Sequence, residues 1–407
     1  MAGERLRIVA GLIRVTGDWD LAEDCLQDAV ERALARWPRD GVPDNAAAWL
    51  TTTAHRRALD VLRRRRTETE KLRVLTAMAT FDEHSAGNAP DADPHGEAYR
   101  DDVLRLLFTC CHPALPLTGQ VALTLKTVAG LSTREVARAF LVSEATMGQR
   151  LLRTRTKIAN AGITFRVPDP HRVTERTAGV LAVVYLVFNE GYAGTEGEGT
   201  RDDLAAEALR LAGLVARLLP EDDEVHGLRG LLLLQHARRA ARTDEAGDLV
   251  PMDEQDRSRW DRAMVSAGLA SLTAARDTGR PPGSYRLQAE IAATHAMAPA
   301  AAATDWVRVV DLYDALLRVQ PSPVVALNRA VALGFRDGPE AGLGALAEVE
   351  GAGELAGYHL LPAVRADLLR RAGRNEEAAA AYAEALTLVR TAAERRFLER
   401  RLREIGT

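Results

Sequence analysis

Apolar residues recur along almost the whole chain at spacings of three and four, whereas the strict alternation typical of strands is scarce. Because a helical turn takes about 3.6 residues, this spacing predicts an all-α fold. The longest apolar runs, such as AGVLAVVYLVF, are too short to cross a bilayer. The first residues, MAGERLRIVAG, lack the apolar core of a signal peptide. We therefore expect a cytoplasmic protein without membrane contact.

The first predicted domain covers residues 1–66 and contains two long amphipathic helices. In DLAEDCLQDAVERALARW, Asp20 is the candidate N-cap. The apolar side of this helix is predicted to hold Leu21, Cys25, Ala29 and Leu34. After the loop PRDGVPDN, the second helix, AAAWLTTTAHRRALDVLRRRR, ends in four arginines.

Residues 67–96 are predicted to form a flexible acidic linker. The stretch TFDEHSAGNAPDADPHG is rich in turn-forming residues and poor in large apolar ones. Such a segment cannot bury enough apolar surface to offset the entropy lost on ordering.

Residues 97–166 form the next predicted domain, which contains a helix-turn-helix. In LSTREVARAFLVSEATMGQRLLRTRTKI, Ser132 and Glu135 form a capping box for one helix, and Ser143 caps the next. The predicted apolar stripe of the second helix is Ala145, Gly148, Leu151, Leu152 and Ile158, and its polar face is Thr146, Gln149, Arg150, Arg153 and Lys157. A helix with a docking face and a basic face suits the major groove of DNA.

Residues 167–407 are predicted to form a helical solenoid. LPAVRADLLRRAGRNEEAAAAYAEALTLV fits a tetratricopeptide helix pair with Gly373 at the turn, and VVALNRAVALGFRDGPEAGLGALAEVE has a related arrangement. Ala341 in the earlier pair precedes Ala378 by 37 residues, which is near the ~34-residue period of these repeats.

Charge is unevenly distributed along the chain. The 53 basic and 57 acidic side chains give a net charge of −4. Residues 97–166 nevertheless carry a balance of +5, and residues 167–407 a balance of −7. Since clustering of basic residues matters more than their total, the overall charge does not exclude nucleic-acid binding.

Candidate metal ligands and catalytic groups are few. Cys110, Cys111 and His112 are adjacent, which is poor spacing for one tetrahedral ion, so a helix-end packing role is favoured. NEGYAGTEGEG places Asn189 and Glu190 near glycines, but no nucleophile or base motif accompanies them. We expect no metal, no cofactor, no disulfide framework and no enzymatic activity.

Several motifs resemble a known family. TGDWDLAEDCLQDAVERALARWP with PDNAAAWLTTTAHRRALDVLRRRR is similar to the second conserved region of the bacterial extracytoplasmic-function (ECF) sigma factors. LSTREVARAFLVSEATMGQRLLRTRTKI is similar to their fourth region. Five further stretches are similar to the subgroup of these sigma factors that has a long tetratricopeptide-like C-terminal extension. They are LRLLFTCCHPAL, VVYLVFNEGY, EQDRSRWDRAM, PSPVVALNRAVAL and GYHLLPAVRADLLRR. The resemblance covers nearly the entire chain.

This resemblance implies three sets of site residues. The residues that would bind RNA polymerase are Asp24, Gln27, Asp28 and Arg32. Those that would contact the −10 promoter element are Asn45, Trp49, His55, Arg56, Arg57, Arg63 and Arg64. Those that would contact the −35 element are Ser143, Glu144, Thr146, Gln149, Arg150, Arg153 and Arg155.

Some of these roles have alternatives or depart from the family pattern. The charged residues of the polymerase set are also compatible with a solvated helix face, and Trp49 with a core position. Many family members have asparagine at Arg56 and lysine at Gly148. Arg153 and Arg155, like the arginine run at 63–66, are expected to bind phosphates rather than bases.

The resemblance implies a non-catalytic sigma factor whose partners are core RNA polymerase and promoter DNA. The solenoid is expected to regulate or support this activity and to offer a surface to a peptide or protein partner. The alternative is a tetratricopeptide-containing helix-turn-helix regulator that binds operator DNA without acting as a polymerase subunit. An operator binder has no need of the helices in residues 1–66.

Overall fold

The computed structural model describes residues 2–77, 97–140, 142–192, 200–245, 247–389 and 391–405. Within these ranges every regular element is a helix, apart from an isolated bridge between Thr243 and Leu249. The prediction of an all-α fold is confirmed. None of the described helices is long and apolar enough to cross a membrane.

The chain divides into two compact units, Met1–Leu186 and Val187–Thr407. The described helices of the first unit are α1 (Ala2–Thr16), α2 (Trp19–Asp40), α3 (Ala46–Ala77), α4 (Glu97–Cys110), α5 (Leu117–Leu123), a π-helix (Thr124–Ala129), α6 (Thr133–Ala139), α7 (Glu144–Asn160) and α8 (Pro170–Tyr192). The boundary between the units lies within α8. Residues 167–186, predicted to begin the extension, therefore belong to the first unit.

Two predictions about α2 are wrong. The N-cap is Asp18, whose side chain accepts hydrogen bonds from the backbone of Asp20 (3.1 Å) and Leu21 (3.0 Å). Asp20 lies within the first turn, because the helix already starts at Trp19. Leu34 is 70% exposed and faces solvent, since the buried stripe of α2 ends at Ala33.

The predicted linker begins as helix. Helix α3 continues to Ala77, so residues 67–77 are helical rather than flexible linker as predicted. The rest of the predicted linker, residues 78–96, lies outside the described residues.

Helix α1 packs against two helical blocks of the first unit, an N-terminal block of α2 and α3 and a C-terminal block of α4 to α7. It contacts α2 and α3 of the N-terminal block and α4 and the π-helix of the C-terminal block. Its Leu6, Val9, Leu12 and Ile13 are at most 2% exposed. Each buried side chain of this size contributes about 1.5–3 kcal/mol, so α1 is a core element for both blocks.

Ion pairs also join the two blocks. Asp20 and Glu23 of α2 meet Lys126 of the π-helix and Arg155 of α7, and these four residues form the ion cluster. Glu23 lies 3.4 Å from Arg155 and 3.7 Å from Lys126, and Asp20 pairs directly with Arg155. The Glu23 and Arg155 side chains are 19% and 13% exposed, so water screens their attraction only in part.

A second ion pair links α1 to α4. Arg14 at the end of α1 donates from Nε to the buried carboxylate of Asp102 on α4 at 3.1 Å. Arg5 at the other end of α1 donates to the carbonyl of Thr127 in the π-helix at 3.3 Å. Apolar burial and charge pairing thus hold the two blocks together.

The second unit stacks helices in chain order. Its described helices are α9 (Thr200–Leu218), α10 (Asp223–Ala237), α11 (Arg262–Asp277), α12 (Ser284–Met297), α13 (Trp306–Val319), α14 (Pro323–Arg336), α15 (Pro339–Gly351), α16 (Leu360–Arg371), α17 (Asn375–Leu388) and α18 (Ala392–Ile405). Overlapping apolar clusters join α12 to α14, α14 to α16 and α16 to α18.

Helix pairs with short turns recur in this unit, as the sequence predicts. Gly373, with φ of 75°, forms the turn between α16 and α17. Helices α14 and α15 approach closely at Gly342, where an added Cβ would lie 2.9 Å from the carbonyl oxygen of Ala330. The assignment of these pairs as tetratricopeptide repeats stays a prediction.

Reversing one charge of the ion cluster should weaken the first unit. Glu23→Arg places a positive charge against Lys126 and Arg155, so we expect a lower thermal midpoint. Adding Arg155→Glu restores an opposite pair and recovers part of the loss. A double-mutant cycle by thermal unfolding of the full-length protein should give a coupling of about 0.5–3 kcal/mol.

The exposed pair Asp60–Arg63 on α3 provides a matched control. Its side chains are 58% and 78% exposed and lie 3.9 Å apart. The same exchange there should change stability by less than about 0.5 kcal/mol. Strictly additive effects of Glu23→Arg and Arg155→Glu would contradict the role given to the ion cluster.

Candidate nucleic-acid and polymerase interface

Helices α6 and α7 form the predicted helix-turn-helix, and both predicted caps are present. The Ser132 hydroxyl accepts from the Glu135 backbone N–H at 3.2 Å, and the Glu135 carboxylate accepts from the Ser132 N–H at 2.7 Å. The Ser132 hydroxyl also donates to the Glu135 carboxylate at 2.7 Å, and this hydrogen bond, together with that from the Ser132 N–H, lowers the pKa of Glu135. The Ser143 hydroxyl accepts from the Thr146 N–H at 3.1 Å, which fixes the start of α7.

The docking face of α7 differs from the predicted stripe. Its buried residues are Met147, Leu151, Thr154 and Ile158. Ala145 and Leu152, predicted to be apolar contacts, are exposed. Thr154 is buried because its hydroxyl bonds the Arg150 carbonyl at 2.8 Å and sits against Gly119 of α5, where a Cβ would be only 2.8 Å away.

Most of the residues predicted to read the −35 element share an open face. The exposed residues of this set on or just before α7 are Ser143, Glu144, Thr146, Gln149 and Arg153. The docking face is buried against α5 and α6, and these side chains lie on the opposite, exposed face of α7. This face therefore presents polar side chains in the arrangement that a groove-reading helix needs.

Two arginines of the same set are held by neighbours. Arg150 is half-buried, with its guanidinium 5.3 Å from the ring centre of Phe140. Arg155 belongs to the ion cluster with Asp20 and Glu23 of α2. In this arrangement Arg155 is not on the open face, and its predicted phosphate contact requires the cluster to separate.

The residues predicted to contact the −10 element begin at the N-terminus of α3. Asn45 accepts a hydrogen bond from the Ala48 N–H at 2.9 Å and so caps the helix. Trp49 is half-buried, and its ring packs edge-on against Trp37 at 5.6 Å between centres. Trp49 is thus neither fully in the core nor free in solvent.

The basic residues of this set differ in their exposure. Arg56, Arg63 and Arg64 are exposed, and His55 is half-buried. Arg57 instead donates from Nε to the carboxylate of Asp28 on α2 at 2.6 Å. The structure therefore brings a predicted −10 residue and a predicted polymerase residue into one ion pair.

The outward face of α2 carries the rest of the predicted polymerase set. Asp24, Gln27 and Arg32 are exposed, whereas Asp28 is half-buried beside Arg57. The structure adds Val30 and Leu34, which are 39% and 70% exposed. Their spacing from Gln27, at three and seven residues, places them on the same face, and this spacing is the signal in the sequence that points to them.

The cysteines are buried free thiols. Cys110 and Cys111 are at most 3% exposed, and Cys111 lies 3.6 Å from the hydroxyl of Thr124. Burial raises the pKa of Cys111 to about 12 and the pKa of Cys110 well above its usual value. In the ranges that the structure covers, no three His, Cys, Asp or Glu side chains form a group suited to a metal ion.

Comparison with known families places recognised domains on these helices. Residues 4–68 match sigma-70 region 2, and residues 105–158 match sigma-70 region 4. Residues 176–276 match a family of unknown function, DUF6596. No solved structure shows a significant match to the chain.

One relative matches this chain over most of its length. The chain is 46% identical over 404 residues to "Uncharacterized protein R00370" of Rhizobium meliloti (strain 1021), which covers 99% of this chain and 94% of that protein. Regions 2 and 4 follow each other along the chain. Helix α2 lies in the region 2 match and helix α7 in the region 4 match. The protein therefore carries sigma-70 regions 2 and 4 on one chain and belongs to the same family as the Rhizobium meliloti protein.

Proposed function

We propose that this sigma-70 family member binds core RNA polymerase, directs it to promoters and uses its C-terminal extension to support that activity. The single observation that carries the proposal is the outward face of α2. Leu34 is exposed there between charged and amide side chains, beside Gln27 and near Asp24. Val30, one turn before Leu34 on the same face, is also exposed, and an apolar pair rimmed by charged and amide side chains suits a protein-binding surface.

The polymerase contact is tested by the variant Leu34→Asp. Full-length protein and core polymerase should co-elute in gel filtration and produce discrete run-off transcripts from a genomic fragment library. A charge at the centre of an apolar contact should weaken this association about 10-fold or more.

Val307→Asp is the matched control, since Val307 on α13 is also exposed, at 58%, and lies outside the proposed surface. This control should bind polymerase normally. Wild-type protein that binds DNA but never core polymerase would instead support the operator-binding alternative.

Promoter reading is assigned to the open face of α7. Gln149 is exposed there and its amide suits the edge of an adenine, so Gln149→Ala should lose discrimination at one −35 position, worth about 1–3 kcal/mol. Arg64 is exposed in the arginine run of α3, so Arg64→Ala should weaken all promoters alike. Holoenzyme binding to a panel of single-base promoter changes distinguishes the two. A uniform loss for Gln149→Ala would show a backbone contact instead.

The compact first unit implies a rearrangement during this function. Regions 2 and 4 read promoter elements that lie apart on DNA, whereas the ion cluster ties α2 to α7. Arg155 belongs to both the cluster and the recognition helix. We infer that polymerase and DNA engage a form in which Arg155 has left Asp20 and Glu23.

The extension is proposed to support activity because its first helix is part of the first unit. Val180, Val183 and Val184 of α8 are at most 2% exposed. Arg176 of α8 donates to the carbonyl of Phe108 at the end of α4. Removing α8 would therefore expose core and leave a buried carbonyl without its donor.

Two truncations distinguish a structural role of α8 from a regulatory role of the rest of the extension. A chain ending at Val167 lacks α8, so we expect it to be unstable and inactive. A chain ending at Tyr192 keeps α8, and we expect it to fold but to give less run-off transcript than the full-length protein. Circular dichroism and gel filtration check folding before the transcription assay. More transcript from the 1–192 chain than from the full chain would show that the extension inhibits.

A further inference from the structure

A small cavity lies where the end of α4, the segment 163–169 and the start of α8 meet in the first unit. Its volume is about 100 Å³, well below the roughly 300–1,000 Å³ of pockets for drug-sized ligands. Its walls include Phe108, Thr109 and Ile163. The space suits one small solute or one chemical group of a larger ligand.

Positive charge dominates the lining of this cavity. Arg166, Arg172 and Arg176 all contribute to its walls, and Asp169 is the one carboxylate among the described lining residues. Within the described part of the chain, none of the three guanidinium groups lies within ion-pair distance of a carboxylate. The cluster therefore holds an excess of positive charge that the described side chains do not pair.

Arg176 is the most buried of the three arginines, and its surroundings disfavour its charge. Burial lowers the pKa of Arg176, and the neighbouring Arg172 lowers it further despite opposing effects from Cys111 and Glu175. Arg176 donates one N–H to the Phe108 carbonyl, but its Nε is buried without a hydrogen-bond partner. An anion in the cavity would relieve the repulsion between these guanidinium groups.

His112 adds a neutral donor to the same cavity. Its Nδ1 accepts from the Ala114 N–H at 3.1 Å, so the proton of the neutral ring resides on Nε2. Burial lowers the pKa of His112, and Arg176 lowers it as well, so the ring is uncharged at neutral pH. A neutral Nε2–H beside guanidinium groups suits an oxygen ligand.

We propose that this cavity binds a phosphate-sized oxyanion, held by Arg166, Arg172 and Arg176. Guanidinium groups recognise phosphate through paired, charge-assisted hydrogen bonds. The bound anion would bridge the end of α4 and the start of α8, and so stabilise the packing of α8 in the first unit. The proposal does not depend on polymerase binding.

Inorganic phosphate is the probe for the test. Isothermal titration into full-length protein, at ionic strength kept constant with sodium chloride, should show saturable binding, and the thermal midpoint should rise with phosphate. Arg166→Gln and Arg172→Gln should each weaken binding about 10-fold or more. Both residues are exposed, so these variants should fold.

Two further variants sharpen the result. Asp169→Asn removes the opposing carboxylate while keeping a residue that can cap a helix, so it should tighten phosphate binding. Arg134→Gln changes an exposed arginine of α6 away from the cavity and should bind phosphate like the wild type. Equal binding by wild type, Arg166→Gln and Arg172→Gln, or no heat beyond the sodium chloride control, would overturn the proposal.

A competition arm identifies the source of the phosphate group. If a short DNA duplex displaces phosphate, and does so only when Arg166 and Arg172 are present, the physiological ligand is the DNA backbone. If phosphate binds equally in the presence of the duplex, the ligand is a small phosphorylated solute. Either result supports recognition of a phosphate group at this cavity.

Discussion

The burial of α1 against both helical blocks is the constraint on which the first unit depends. Its apolar residues face α2 and α3 as well as α4 and the π-helix, so neither block has a complete core without it. With about 1.5–3 kcal/mol for each large side chain, α1 accounts for much of the cohesion between regions 2 and 4. In the proposed function, opening must therefore exchange α1 contacts for contacts with polymerase.

The polar residues of this unit divide into those that pair across its two blocks and those that stay exposed on α7. Asp20, Glu23 and Arg155 pair across the blocks, whereas Gln149 and Arg153 stay open on the other side of α7. A position on the recognition helix therefore does not by itself assign a residue to DNA. The same helix packs through its buried face and the Arg155 pairs, and in the proposed function it would read DNA through its exposed face.

Features governed by local chemistry could be predicted from the sequence. The caps at Ser132 and Ser143, the turn at Gly373 and the all-α fold depend on neighbouring residues and periodicity. The pairing of Arg155 with Asp20 and Glu23 could not be predicted, because it depends on which helices meet in space. Composition also misassigned residues 67–77, since polar helical residues can extend a helix that has already begun.

The buried thiols at the end of α4 limit the redox chemistry of this unit. Only a thiolate reacts readily with peroxide or a disulfide, and burial keeps Cys110 and Cys111 protonated at neutral pH. An oxidant would reach these sulfur atoms only after α4 has separated from its neighbours. Oxidation of Cys110 or Cys111 would therefore report local unfolding. An oxidant acting on the folded unit would have to react with other residues.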